Sequence, residues 1–473
     1  MPVDSSAMLR DIARDGLGAA SAPQRVVVVG AGMAGLVAAT ELRRAGHQVT
    51  VLEGRERVGG RIYTMREPFT HGLRAEAGAM RIPKTHDLTL HYVDRYGLQT
   101  TPFTMNNPQA YLYLGGTRMR AHELASQPYT LGFDLEEHER MTPIGQLWEQ
   151  TVASVVGHVA AEGEAAWEAI SREHDQFSLR EFLEAKGWSE GAIELYGMAF
   201  HMESMMSTGV IEILREEAGR WFEDLCSIEG GMDRLPNAFL AELGGSIRFG
   251  ARMTALAQGT EGVVVYYQTA AGRFAVEADR AIVTVPFPVL RHVEVLQPFS
   301  RGKQRAIRQL HYDASAKVFL QSRRRFWEED DGIFGGGTVT DLPIRALYYP
   351  DHGRETGRGV LLASYTWAED AQRWGSLSPG DRIVQAIENV SQIHPQIREE
   401  FEVGASKMWH DDEFAGGAFA LFEPGQQTSL YQHIVAPEGR FHFAGEHASL
   451  GHAWIQGAIE SGLRAALEVH AAR

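Results

Sequence analysis

Cysteine is nearly absent. Cys226 is the single one in 473 residues, which excludes an internal disulfide and any thiolate-rich metal or iron–sulfur site. Basic side chains are outnumbered, 45 Lys and Arg against 61 Asp and Glu. The resulting formal charge of −16 repels phosphate backbones and anionic lipid, so neither nucleic acid nor a membrane is expected as a partner. Long hydrophobic runs are missing too. The longest, residues 26–39, is interrupted by Gly30, Gly32 and Gly35 and falls short of the roughly 20 residues that a membrane span needs. Residues 1–24 lack a basic start followed by an apolar core, so no secretory leader is expected and a cytoplasmic location is. His447 and His452 come without accompanying ligands, and no metal is expected. No internal repeat or low-complexity linker is visible.

What is present is a globular chain. An apolar fraction of 44% with 22% charged residues suits a sizeable core, and the length calls for two or three packed units. Residues 8–17 read as a short amphipathic helix, stopped by Ser21-Ala22-Pro23. Residues 25–29 form a strand of β-branched side chains, 33–45 a helix, 46–47 a turn and 48–52 a second strand. From about 120 to 227 the pattern turns helical, with stretches at 144–170 and 179–186. Strands return at 246–249, 263–268, 274–276, 280–285 and 441–444, ahead of a last helix over 455–470. The nucleotide-type unit is therefore assembled from separated segments.

Gly30-Ala31-Gly32-Met33-Ala34-Gly35 lies directly between a strand and a helix, the context that makes a glycine pattern specific. The first glycine permits the tight turn, the second lets backbone amides reach a pyrophosphate, and the third lets helix and strand pack closely. Met33 and Ala34 open the helix whose N-terminus faces the anion. Glu53 ends the second strand, where its carboxylate meets ribose hydroxyls and repels a 2′-phosphate, which disfavours NADP. NAD and FAD share this fingerprint. The continuation Glu53-Gly54-Arg55-Glu56-Arg57-Val58-Gly59-Gly60-Arg61 is a basic, glycine-rich loop that lets a guanidinium approach a pyrophosphate beside close-packed backbone.

This pairing of motifs resembles the FAD-binding flavin amine oxidase family. The resemblance runs from residue 25 to about 469 and points to its L-amino acid oxidases. It implies an α/β fold with α+β parts. A Rossmann-type FAD-binding domain would comprise residues 24–64, 229–310 and 401–473, and a mixed-sheet substrate-binding domain residues 65–120 and 311–400. An inserted helical domain would span 121–228, behind an N-terminal arm at 1–23. Gly78-Ala79-Met80-Arg81 resembles the segment whose arginine binds the substrate carboxylate, a role suited to a planar, permanently charged fork. Lys317 resembles the family lysine that holds a water beside the flavin, and Tyr365 the tyrosine that adds a second hydrogen bond to the carboxylate. Ala418, in Gly416-Gly417-Ala418-Phe419, stands where monoamine oxidases carry a flavin-bonded cysteine, so the FAD is expected to be non-covalent.

Further positions follow from the same resemblance. Phe419 and Trp454 flank the substrate. Glu446, after Gly445, contacts the cofactor's ribityl–phosphate region. Ala453, Trp454 and Ile455 open the last helix toward the flavin, and Met253 and Trp409 add cofactor contacts. Glu216 and Trp221 are candidates for reading the substrate side chain, and His201 is expected in a helix or pocket wall rather than as a base. The implied reaction is oxidative deamination of an L-amino acid by molecular oxygen, giving a 2-oxo acid, ammonia and hydrogen peroxide. An amino acid monooxygenase, a polyamine or monoamine oxidase, and a non-catalytic flavoprotein are the alternatives. A homodimer is the base-rate expectation.

Overall fold

The computed structural model describes residues 5–124 and 131–472. Its first sheet has five strands in the order Ile247–Arg248, Gln48–Leu52, Arg25–Val29, Arg280–Val283 and Phe441–Phe443, and every pairing is parallel. Alternate side chains of the central strand go to opposite faces, as a two-residue period requires. Val26 and Val28 join a core with the helices Met33–Arg44 and Ile455–Ala471. Val27 and Val29 join another with the strands Arg252–Gln258 and Val263–Thr269. The two helices press together: a Cβ on Gly462 would stand 2.5 Å from the Ala34 carbonyl. The amino-terminal helix Ser5–Asp15 buries Ile12 and Ala13 in the first of these cores.

The second large sheet has seven strands, in the order Phe401–Met408, Ser315–Ser322, Gly359–Trp367, Ala346–Tyr348, Gly337–Thr340, Tyr111–Leu114 and Thr117–Arg120. It is mixed, because Gly337–Thr340 runs parallel to Tyr111–Leu114 while the other pairings are antiparallel. Ser315–Ser322 is buried along its whole length, and its register sets Lys317 opposite Tyr365.

Strand pairing crosses two of the expected boundaries. Phe401–Met408, grouped on sequence with the nucleotide-binding segments, pairs with Ser315–Ser322. Leu225–Ile228, grouped with the helical unit, forms a three-stranded sheet with Ile82–Pro83 and Thr100–Phe103. Neither strand shows its partner in its own residues.

The helices Ile144–Glu162, Ala166–His174, Leu179–Ala185, Glu190–Ala199 and Val210–Ala218 pack around Trp148, Ile170, Leu183, Ile193 and Leu214. The stretch 144–170 is not one helix. Gly163, at φ 60°, ends the first segment, and a 3-10 turn over Gly163–Ala165 leads into the next. Ser178 and Ser189 cap the two helices that follow them, each accepting a backbone N–H one turn on. Among the described residues no helix is long and apolar enough to cross a membrane.

Candidate active site

One cavity of about 1500 Å³ touches all three groups of elements. That exceeds the few hundred to about 1,000 Å³ of an ordinary small-ligand pocket, so there is room for an extended cofactor and a small substrate together. Gly30, Gly32, Met33, Ala34, Glu53, Gly54, Arg55 and Gly60 line one end. Gly30 turns at φ 108°. A Cβ on Gly35 would stand 2.0 Å from the Gly30 carbonyl, whereas one on Gly32 would meet nothing within 4 Å. Gly35 therefore serves packing and lies off the wall, while Gly32 leaves open a cradle that a side chain would fill. Glu53 accepts the amides of Ala31 at 2.7 Å and Arg55 at 2.8 Å, which fixes its carboxylate and leaves it further acceptor capacity. Arg55 is held by Asp412 and lies 5.0 Å from the Phe414 ring centre.

The middle of the cavity is organised by Glu446. It takes hydrogen bonds from Arg61 Nη1 at 2.8 Å, from Ala420 N at 3.2 Å and from Ala453 N at 3.1 Å. Burial works to raise this carboxyl, but Arg61, then His452 and His447, hold it below the usual carboxylate range. The Ala453 bond secures a residue at φ 65°, directly before the helix Ile455–Ala471. That helix has no side-chain cap at Trp454, so its N-terminal amides stay available beside the cavity. Arg61 also donates to the Ala418 carbonyl at 3.0 Å. His452 lies 2.8 Å from Glu212, and His447 is buried against Phe287.

Arg81, Lys317, Tyr365, Phe419, Glu216, Ala453 and Trp454 share the wall beyond. Arg81 has no ion-pair partner among the described residues; its guanidinium donates to Met105 Sδ at 3.2 Å. Its central carbon lies 5.3 Å from the ring centre of Phe222 and 5.9 Å from that of Trp454. A permanently charged fork ringed by aromatics, with no close ion pair among the described residues, is chemically suited to receive an anion. Lys317 donates to the carbonyls of Glu76 at 3.0 Å and Gly78 at 2.7 Å. Trp409 Nε1 donates to that of Ala77 at 2.7 Å, so the segment carrying Arg81 is pinned from two sides. Burial pushes Lys317 down to about 7, with Arg81 acting in the same direction. Its Nζ stands 4.6 Å from the Tyr365 ring centre, and Lys317 itself is only 2% exposed, the opposite of a strand lysine facing solvent.

Of the positions expected to contact cofactor or substrate, Gly35 and Trp221 do not line the cavity. The Trp221 indole folds back over Gly219, where a Cβ would be 2.2 Å from its nitrogen, and buttresses Trp454 edge-on at 6.0 Å. Its neighbour Phe222, not singled out, faces the cavity instead. Side-chain direction in an irregular turn has no period to read. His201 stacks on Trp367 at 4.5 Å within the wall, and burial lowers it to about 3. It lies in the turn after Glu190–Ala199 rather than inside that helix.

The glycine fingerprint and an arginine without an ion-pair partner among the described residues thus share one cavity. The chain belongs to the flavin-containing amine oxidoreductase family, whose model matches residues 33–470. It is therefore a flavin-dependent oxidoreductase. The YobN protein of Bacillus subtilis (strain 168) is 40% identical over 470 residues, covering 97% of each chain. The L-amino-acid oxidase of Gloydius blomhoffii is 36% identical over 469 residues, covering 98% of this chain and 92% of that protein. Wild-type putrescine oxidase bound to putrescine superposes with a TM-score of 0.75 at 23% identity, over 95% of this chain and 100% of that one. That likeness speaks for the fold alone.

Proposed function

We propose that this chain oxidatively deaminates L-amino acids with a non-covalently held FAD. The observation that carries the reading is Arg81, an arginine with no ion-pair partner among the described residues, on the same wall as a buried lysine and a half-buried tyrosine. A substrate without a carboxylate leaves that charge unanswered. Gly30, Gly32 and the amides opening Met33–Arg44 would hold the pyrophosphate, and Glu53 the ribose. Glu446 and the start of Ile455–Ala471 would hold the flavin half. Ala418 offers no nucleophile for a covalent bond.

Arg81 and Tyr365 would clamp the carboxylate and so fix Cα. Trp454 and Phe419 would flank the substrate and exclude water. Lys317, with a proton affinity near neutrality, is suited to hold a water at Nζ and to exchange a proton with it. The chemistry FAD supplies when bound is acceptance of the Cα hydride at N5 and return of the electrons to oxygen as hydrogen peroxide. Hydrolysis of the released imino acid gives the 2-oxo acid and ammonia. The test is Arg81→Ala. Its kcat/KM for L-amino acids is expected to fall at least about 100-fold while flavin absorbance is kept. Unchanged turnover would overturn the reading.

A further inference from the structure

The cavity wall supplied by residues 145–223 carries Glu149, Glu212, Glu216, Glu217 and Glu223 and, among the described residues, neither lysine nor arginine. Most of these acids are answered locally or stand at the rim. Glu212 is bonded to His452 at 2.8 Å, and Glu223 is paired with Arg220. Glu217 is offset by the nearby Trp148 indole, and Glu149 is exposed. Glu216 differs. It has no close ion pair among the described residues, Arg81 acting on it only from beyond salt-bridge distance, and its hydrogen bond comes from Trp454 Nε1 at 2.8 Å. Trp454 is also the ring 5.9 Å from Arg81. One indole thus separates Arg81 from a half-buried carboxyl group, a gap that an amino acid side chain of a few methylenes bridges.

The geometry points to a substrate whose side chain carries a cation, with Glu216 as its counter-ion. This rests on the amino acid reading above and narrows it to the arginine and lysine class. Burial pushes the empty Glu216 carboxyl up to about 7; an arriving cation restores the carboxylate and gains a charge-assisted hydrogen bond. A neutral side chain leaves that group desolvated, with the Trp454 hydrogen bond but no adjoining cation. The acidic wall and the overall negative charge draw cations in.

The test uses the flavin-loaded protein and two carboxylates without an α-amine, so that binding is read without turnover. By calorimetry, δ-guanidinovalerate is expected to bind about 10- to 100-fold more tightly than the neutral δ-ureidovalerate, the range of a hydrogen bond to a charged group. In Glu216→Gln, whose amide oxygen still accepts from Trp454, that ratio is expected to fall toward 1. Equal affinity for the two ligands in the unaltered protein, or a ratio that survives in Glu216→Gln, would overturn the assignment. The first comparison needs no variant and so does not depend on one folding. Flavin bleaching separates the two readings. Reduction by L-citrulline as readily as by L-arginine sinks the counter-ion alone. Selective binding of the guanidino ligand without reduction by any amino acid sinks the oxidase reading instead.

Discussion

At the scale of single residues the account turns on charges buried without a conventional partner. Lys317 illustrates the cost. The unfolded chain holds this proton to about pH 10.4, whereas the folded one gives it up near 7 because burial and Arg81 oppose the charge. Between those values the unfolded state binds more protons, so Lys317 makes stability rise with pH. In urea unfolding of the apoprotein, Lys317→Met is expected to remove about 1.4 kcal/mol per pH unit of that rise, one proton's worth. An unchanged slope would place the lysine's proton affinity at its ordinary value. In the loaded enzyme the same variant is expected to bleach on substrate addition yet reoxidise at least about 10-fold more slowly, measured by stopped-flow mixing with oxygen. Residue types at this scale were legible through motif position: Arg81, Lys317, Tyr365 and Glu446 all reach the cavity wall. Direction was legible only inside regular elements, which is why Phe222 rather than Trp221 faces the site.

At the scale of elements, the first strand–helix–strand unit was readable almost to the residue. Its strands Arg25–Val29 and Gln48–Leu52 fall on the expected bounds, because runs of β-branched side chains and a glycine turn state their structure locally. The close approach inside that unit is testable. Gly35→Ala sets a methyl 2.0 Å from the Gly30 carbonyl and 3.1 Å from Thr284 Oγ1, neither of which retreats without moving the turn. The variant is expected to lose about 1–3 kcal/mol of stability and much of its flavin, read by thermal unfolding and by the ratio of flavin to protein absorbance. Full flavin content at an unchanged Tm would contradict the packing role. The seven-stranded sheet was the harder part. The pairing of Ser315–Ser322 with both Gly359–Trp367 and Phe401–Met408 spans long stretches of chain, and no local pattern encodes a partner so far away.

At the scale of the whole molecule, the fingerprint, the strand-borne lysine and tyrosine, and the helical wall meet on one cavity only because three groups of elements are folded against one another. That convergence was expected from family resemblance rather than from periodicity, and the cavity itself is a tertiary fact. With alanine at position 418, acid precipitation of the loaded protein is expected to release the flavin into the supernatant. Flavin retained in the pellet would show a covalent bond that this reading lacks. The most direct measurement of the central claim is anaerobic titration of the flavin-loaded protein with each of the common L-amino acids, followed by oxygen and product analysis. The account predicts that at least one bleaches the flavin, and that oxygen restores the colour with equal amounts of 2-oxo acid, ammonia and hydrogen peroxide. A flavin left oxidised by every L-amino acid, or an amide with carbon dioxide in place of the oxo acid, would contradict it.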